Sequence, residues 1–258
     1  MVELSPCAPA GGADACALPT PPARPGSRIS LFLDFDGTLV ELAEAPDRVV
    51  VGQPLPGLLS RLDDALEGRI ALLTGRGADM VAALLGDISF PVAGSHGAEL
   101  RIAGDLVSPP RPAQLDDALA AMQRFAAERP GLLVESKPLG VALHYRQRPQ
   151  DEEACIDLAK ALASPLGLHV QTGKMVAELR AAGADKGSAL RALMDRDEMR
   201  GSCPLFLGDD ATDEPGFLAA ADLGGAGVLV GPARATAARY RLDSVAAVHA
   251  WLEGLAGA

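Results

Sequence analysis

Five times after residue 28 the chain runs through a few mostly apolar residues and stops on a small or polar one. The runs are ISLFL before Asp34, IALL before Thr74, FPVAG before Ser95, PLFL before Gly208 and GVLV before Gly231. A strand with one wet face alternates apolar and polar residues, whereas an unbroken apolar run of this length is a strand buried on both faces. Helical patterns lie between several of the runs. Leu58, Leu59, Leu62, Ala65 and Leu66 fall on one helical face, and Val245, Val248 and Leu252 repeat the pattern near the C-terminus. Strands of this kind alternating with helices predict a Rossmann-like α/β core, a parallel sheet with helices on both faces.

The middle of the chain has a different rhythm. A helical stretch from Leu115 to Glu128 leads to LLVESK and VALHYRQR, and a second from Glu152 to Ser164 leads to LHVQT and MVAELR. Helix, hairpin, helix, hairpin predicts an α+β unit in which helices cover one side of an antiparallel sheet. The expected organisation is therefore a core over 28–108 and 181–258, split by an inserted cap over 109–180. A split core predicts that the insert moves as a rigid body. Residues 1–27 are rich in proline and alanine and poor in large apolar side chains, so they are expected to be a disordered tail.

Composition excludes several partners. Of 258 residues, 48% are hydrophobic, enough for a sizeable core, and 34 acidic against 23 basic residues leave a net charge of −11. Such a balance does not attract a polyanion, so no nucleic-acid partner is expected. No apolar run approaches the roughly 20 residues of a membrane span. The N-terminus has no signal-peptide pattern, and a cytoplasmic protein without membrane contact is expected. Cys7, Cys16, Cys155 and Cys203 show neither CxxC nor metal-ligand spacing, which predicts free thiols. Nothing in the sequence sets an oligomeric state, and a monomer is the default expectation.

In an open parallel sheet ligands bind beyond the carboxyl ends of the strands, and there this chain places its polar residues. Asp34, Thr74 and Asp209 each close an apolar run and should converge. Carboxylates meeting at a sheet edge repel and lose solvation, so they need a cation between them. Mg²⁺ suits the place, because it takes oxygen ligands and leaves room for a phosphate. A phosphate is also suggested by the Asp36-Gly37-Thr38 turn, the Thr74 hydroxyl and Lys186, which stands where a helix should begin. A cation there opposes the helix dipole and implies an anion nearby. Phosphoryl transfer needs positioning and charge neutralisation, and these groups supply both. Asp34 is expected to attack and take up the phosphoryl as an aspartyl phosphate. Asp36 is then placed to protonate the leaving oxygen and later to deprotonate water.

DFDGTLV (34–40), TGR (74–76), DKG (185–187) and GDDATDE (208–214) occur in that order and resemble the four motifs of the haloacid dehalogenase superfamily of phosphatases. SHGAEL (95–100), ESK (135–137), HYR (144–146) and VAELR (176–180) narrow the resemblance to the trehalose-6-phosphate phosphatase family, over essentially the whole chain after the tail. The resemblance implies Mg²⁺-dependent hydrolysis of trehalose 6-phosphate to trehalose and phosphate, the last step of trehalose biosynthesis. It implies Asp34 as nucleophile and metal ligand, and Asp36 as general acid and base whose backbone carbonyl also reaches the metal. Thr74 and Lys186 would hold phosphate. Asp209 would be the remaining protein ligand, and Asp213 a partner of the metal site, direct or through water. Arg76 would touch phosphate or brace the site. His96 would either line the cleft or pack at a strand end. In the insert, Glu135, Lys137 and Glu178 would hydrogen-bond sugar hydroxyls, although charges on the solvent face of an antiparallel sheet are also routine without a ligand. His144 and Tyr145 read as packing residues. The alternatives are a phosphatase or mutase for another sugar phosphate, such as sucrose 6-phosphate, or a catalytically silent regulatory domain. Silence is disfavoured, since Asp34, Asp36, Lys186, Asp209 and Asp213 are all present.

Overall fold

The structure is a computed structural model that describes residues 18–25, 28–43, 48–86, 88–181 and 183–257. The chain divides into two compact units, one of Met1–Val107 with Asp185–Ala258 and the other of Ser108–Ala184. The first stretch of chain supplies β1 (Ile29–Leu33), α1 (Pro54–Ala65), β2 (Ile70–Leu73), α2 (Ala78–Leu85), β3 (Val92–Gly94), β4 (Glu99–Ile102) and β5 (Asp105–Val107). The insert holds α3 (Gln114–Ala127), β6 (Leu133–Lys137), β7 (Gly140–His144), α4 (Glu152–Leu166), β8 (Leu168–Gly173) and β9 (Val176–Ala181). The last stretch supplies α5 (Lys186–Met194), β10 (Cys203–Gly208), α6 (Glu214–Asp222), β11 (Ala226–Val230), β12 (Tyr240–Leu242) and α7 (Val245–Ala256).

The first unit is an eight-stranded sheet in the order β12-β11-β10-β1-β2-β3-β4-β5. β1 lies at its centre, parallel to β10 on one side and β2 on the other. Alternation along the central strands splits the core into two layers. Leu31 and Leu33 of β1, Ile70 and Leu72 of β2, and Leu205 and Leu207 of β10 pack on α1, α2 and α7 through Leu59, Leu62, Val81 and Leu252. Phe32, Ala71, Leu73 and Phe206 point the other way and meet Leu190, Leu193 and Phe217 of α5 and α6. All of these central positions are buried. That is the physical reason the strands read as unbroken apolar runs.

Two edge features were not legible. β4 and β5 extend the sheet as an antiparallel hairpin, and β12 adds a short parallel strand at the opposite edge. The segment 99–107 lacks an apolar run because β5 is exposed, and its hairpin turns at Ala103 and Gly104, both with positive φ.

In the second unit β6-β7-β9-β8 form a fully antiparallel sheet. Val141, Leu143, Ala177 and Leu179 face α3 and α4, against Leu115, Met122, Cys155 and Ala159. Tyr145 is buried there as a packing residue, and its hydroxyl donates to Glu152 at 3.0 Å. Cys155 and Cys203 are free thiols, and burial pushes the Cys155 thiol up to about 11. The second crossing between units falls at 184 rather than the expected 180. β9 runs to Ala181, and the Arg180 guanidinium donates to the carbonyl of Ala184, which ties those residues to the insert.

The expected tail needs correction where it is described; residues 1–17 and 26–27 lie outside the described residues. Pro21 is buried, the carbonyl of Pro19 accepts from Arg241 N of edge strand β12 at 3.0 Å, and the carbonyl of Pro22 accepts from Trp251 Nε1 at 3.1 Å. Proline content argues for disorder only if ordering is costly. A chain already restricted in φ loses less entropy, and its carbonyls still accept hydrogen bonds. Among the described residues no helix is long and apolar enough to cross a membrane.

Phe206 stacks at a tilt on Phe217, with centroids 5.4 Å apart, in the layer beneath α6. Phe206→Ala is expected to lower the unfolding free energy by about 3–5 kcal/mol through lost burial and a residual cavity. Urea denaturation followed by circular dichroism checks it.

Candidate active site

The register of the parallel strands brings the first carboxylates together. Leu33 of β1 pairs with Leu207 of β10, and Asp34 N donates to Leu207 O at 2.9 Å, so Asp34 leaves its strand beside Gly208 and Asp209. Asp213 follows in the short turn Ala211–Asp213. Oxygens of Asp34, Asp209 and Asp213 all lie within 4.8 Å of one another, and all three residues are buried. Such an approach demands small neighbours. Gly37, at φ +78°, closes the turn after Asp36, and a Cβ there would sit 2.2 Å from Asp209 Oδ2. At Gly208 a Cβ would sit 2.3 Å from Asp213 Cγ.

Lys186 enters this cluster from the first position of α5. Asp185 caps that helix, accepting from Ser188 N at 2.7 Å, which sets the direction in which the lysine departs. Its Nζ donates to Asp34 Oδ1 at 2.7 Å and to Asp213 Oδ1 at 2.6 Å. Asp213 Oδ2 accepts from the backbone N–H of Asp209 and of Asp210 at 2.9 and 3.0 Å. Asp213 thus uses one oxygen to hold Lys186 and the other to order the loop that carries Asp209.

The electrostatics follow from burial. Desolvation pushes the Asp34 carboxyl well above its ordinary value; Lys186 opposes the rise, and the charges of Asp213 and Asp209 add to it. Asp213 is likewise raised by burial against the pull of Lys186. For Lys186 burial works against the charge, but Asp213 and Asp34 outweigh it and hold the ammonium above its ordinary value. The carboxyls rise because burial strips their charge of solvation, and the lysine rises because two carboxylates flank it. A site in that condition gains from a further cation.

Asp36 is turned elsewhere. Its carboxylate accepts from Arg76 Nε at 2.6 Å and Nη2 at 2.8 Å. Thr74, buried at the end of β2, accepts from Arg76 N through its Oγ1 at 3.1 Å, and its carbonyl accepts from His96 N at 2.9 Å. Thr74 does not cap α2: the N-terminal Ala78 N–H donates instead to the buried Glu99 carboxylate at 2.9 Å. Ser95 and His96 both have positive φ, 49° and 57°, backbone conformations that cost energy outside glycine and that concentrate at functional sites.

In the insert, strand pairing sets Glu135 level with Ala142, Ala142 with Glu178 and Glu178 with Gln171. These residues therefore share the face opposite α3 and α4. Lys137 Nζ donates to Glu178 Oε2 at 2.5 Å, and His144 Nε2 lies 2.9 Å from Glu135 Oε2. The three sugar-binding candidates thus stand on one sheet face, already organised by ion pairing. His144 belongs with them rather than with the packing residues, because its strand position points away from the helices.

Sequence reading also missed a clamp on the acidic loop. The Arg234 guanidinium donates to Glu214 Oε1 and, at 2.6 Å, to the carbonyl of Asp210, while Glu214 Oε2 accepts from Ala237 N at 2.7 Å. Arg234 follows the apolar run GVLV, so the same strand-end rule that found Asp34 and Asp209 marks it as well.

The chain is thus an α/β protein whose mostly parallel sheet is split by an α+β insert, with buried aspartates at the central strand ends and a lysine reaching them from the start of α5. The fold is shared with a phosphatase of the haloalkanoate (HAD) superfamily from Bacteroides thetaiotaomicron, at TM-score 0.60 and 19% identity over 88% of this chain and 94% of that one. It is shared more closely with the C-terminal domain of trehalose-6-phosphate phosphatase from C. albicans, at TM-score 0.79 and 22% identity over 90% and 93% of the two chains. The chain belongs to the trehalose-phosphatase family, whose family model matches residues 32–246. Trehalose-6-phosphate phosphatase of Escherichia coli K12 is 39% identical over 233 residues, covering 88% of this chain and 86% of the relative.

Burial would push the Glu135 carboxyl up, but the hydrogen bond from His144 and the charges of Lys137 and His144 prevail and hold it below its ordinary value. A carboxyl lowered on folding contributes stability above its unfolded value, about 4.3, that is lost as pH falls through the folded value. Glu135→Gln should therefore flatten the loss of stability on acidification below that point. Urea midpoints measured across acidic pH for the two proteins check it.

Proposed function

We propose that this protein is a Mg²⁺-dependent phosphomonoesterase that hydrolyses trehalose 6-phosphate to trehalose and phosphate, the last step of trehalose biosynthesis, in the cytoplasm. The observation that carries the reading is the buried cluster of Asp34, Asp209, Asp213 and Lys186 at the strand ends of a chain of this family.

The donor set suits Mg²⁺: three clustered carboxylates, hard oxygen ligands, hold more negative charge than Lys186 balances. Asp34, Asp209 and the backbone carbonyl of Asp36 would hold the ion, with Asp213 acting on it directly or through water. Bound there, it would neutralise charge on the phosphoryl oxygens. The chain's own residues do the rest. Asp34 Oδ2 accepts no hydrogen bond from the described residues, which leaves it to attack phosphorus while Oδ1 stays on Lys186. Lys186 and the Thr74 hydroxyl hold the phosphate, and Asp36 moves the protons. Glu135, Lys137 and Glu178 hydrogen-bond hydroxyls of the sugar, a job for which paired charges on one rigid sheet face are well suited. His96 stands on a constrained turn whose N–H is fixed to Thr74, and we assign it to the substrate side of that strand end.

The experiment is phosphate release from a panel of sugar phosphates, with Mg²⁺ and with chelator. Trehalose 6-phosphate should be the preferred substrate and chelator should abolish release, whereas comparable rates on glucose 6-phosphate and sucrose 6-phosphate would remove the assignment. Asp34→Asn should lower turnover by more than about a thousandfold with its circular dichroism unchanged.

Metal binding has its own readout. Mg²⁺ at 100 times its dissociation constant should stabilise the protein by about 2.7 kcal/mol. That corresponds to a rise in Tm of roughly 5–10 °C. Asp209→Asn should remove most of the rise in differential scanning fluorimetry.

A further inference from the structure

We infer that Arg76 is a positioning residue that orients the acid–base carboxylate of Asp36, an inference that rests on the phosphatase reading above. Asp36 lies three residues beyond the end of β1, in a turn closed by Gly37 N to Val40 O at 2.7 Å and Val40 N to Phe35 O at 3.1 Å. Those bonds fix its main chain and leave its side-chain torsions unset. Arg76 sets them. Its Nε and Nη2 take one acceptor site on each carboxylate oxygen, a fork-on-fork pairing that defines the plane in which the remaining sites lie.

The guanidinium is itself held in place. Nη1 lies 3.7 Å from Met80 Sδ, Cζ lies 5.9 Å from the centre of the Phe35 ring, and the side chain is only 12% exposed. Its main chain is tied as well, by the bond from Arg76 N to Thr74 Oγ1 and by the bond from Ser95 N to Arg76 O at 2.7 Å. Arg76 therefore joins the loop after β2, which carries Thr74, to the loop after β1, which carries both reacting aspartates. The sequence left two roles open, phosphate contact or brace. The side-on edge of the guanidinium, Nε with Nη2, is taken up by Asp36, which favours the brace.

The proton steps show what the brace would control. In the first displacement an oxygen of Asp34 attacks phosphorus, and the bond from phosphorus to the sugar oxygen breaks. That oxygen keeps the electron pair and takes the proton carried by Asp36. In the second displacement water attacks phosphorus and gives a proton to Asp36. The bond from phosphorus to Asp34 then breaks, and its electron pair returns to the carboxylate. Asp36 ends protonated, as it began. An alkoxide leaves poorly without that proton, whereas p-nitrophenolate leaves without help.

Loss of Arg76 should therefore depend on the leaving group. The test compares wild type, Arg76→Ala, Arg76→Lys, Asp36→Asn and the double variant Arg76→Ala/Asp36→Asn, on trehalose 6-phosphate and on p-nitrophenyl phosphate, with stopped-flow resolution of the first turnover. For Arg76→Ala the expected kcat on the sugar ester falls on the order of 100-fold with KM changed little. On the aryl ester a burst of one p-nitrophenolate per enzyme persists and the steady state slows, because the second displacement still needs Asp36. Arg76→Lys, which keeps the charge without the fork, should recover part of the loss. The double variant should lose no more than Asp36→Asn alone, as expected of residues acting as one unit. Equal losses on both esters with the burst abolished and KM raised, or losses that multiply in the double variant, would overturn the inference and return Arg76 to the phosphate. Should Arg76→Ala fail to fold, Arg76→Lys and Arg76→Gln carry the same prediction. A wild type that releases phosphate from neither ester defeats the phosphatase reading itself, and is distinct from the outcomes that separate the variants.

Discussion

The contact on which the active unit depends is a buried ammonium between two buried carboxylates, Lys186 Nζ between Asp34 and Asp213. Charges taken out of water are costly unless paired and hydrogen-bonded. Removing one member of such a pair is commonly worth about 3–5 kcal/mol of destabilisation, because the other is left uncompensated. The three residues come from the end of β1, the start of α5 and the turn after β10. Their bond is satisfied only if β1 and β10 pair in the observed register and α5 begins at Lys186. The capping of α5 by Asp185 and the two backbone bonds into Asp213 serve that same geometry. A third carboxylate, Asp209, then brings the site to an excess of negative charge. That excess of buried negative charge suits the place to a further cation and distinguishes it from a balanced ion pair.

Rigidity is distributed accordingly. The central strands are buried on both faces, so their ends are held by two packed layers, and the polar residues project from those ends on short loops. Each loop is then braced by an arginine: Arg76 joins the loops after β1 and β2, and Arg234 clamps the loop after β10 to the one after β11. In the insert the same economy appears on a smaller scale, with one face of a four-stranded sheet given to packing and the other to paired charges.

Much of this was legible in the residues. Unbroken apolar runs identify strands buried on both faces, and their closing residues identify the strand ends where chemistry collects. The motifs from Asp34 to Glu214 pick out the buried aspartates, the lysine and the acidic loop that the structure brings together. What stayed hidden has local physical causes. β5 is exposed and β12 lies at an edge, so neither carries the periodic signal of a buried strand. Residues 18–25 are held by carbonyls, and acceptors on a proline-rich chain leave no mark in hydropathy. His144 reads as one more residue in an apolar strand until the pairing of β6 with β7 sets it near Glu135.

The sequence alone determined the kinds of group available and their order along the chain, because burial periodicity and motif chemistry are properties of neighbours in sequence. It decided that two aspartates follow the first strand, that a lysine opens a helix and that charged residues mark the insert's strands. Only the tertiary structure decided which groups face one another: Lys186 on Asp34 and Asp213, Arg76 on Asp36, Lys137 on Glu178. Partners separated by dozens to well over a hundred residues meet through strand register and helix packing, and no local pattern encodes the direction in which a side chain will find its counter-charge.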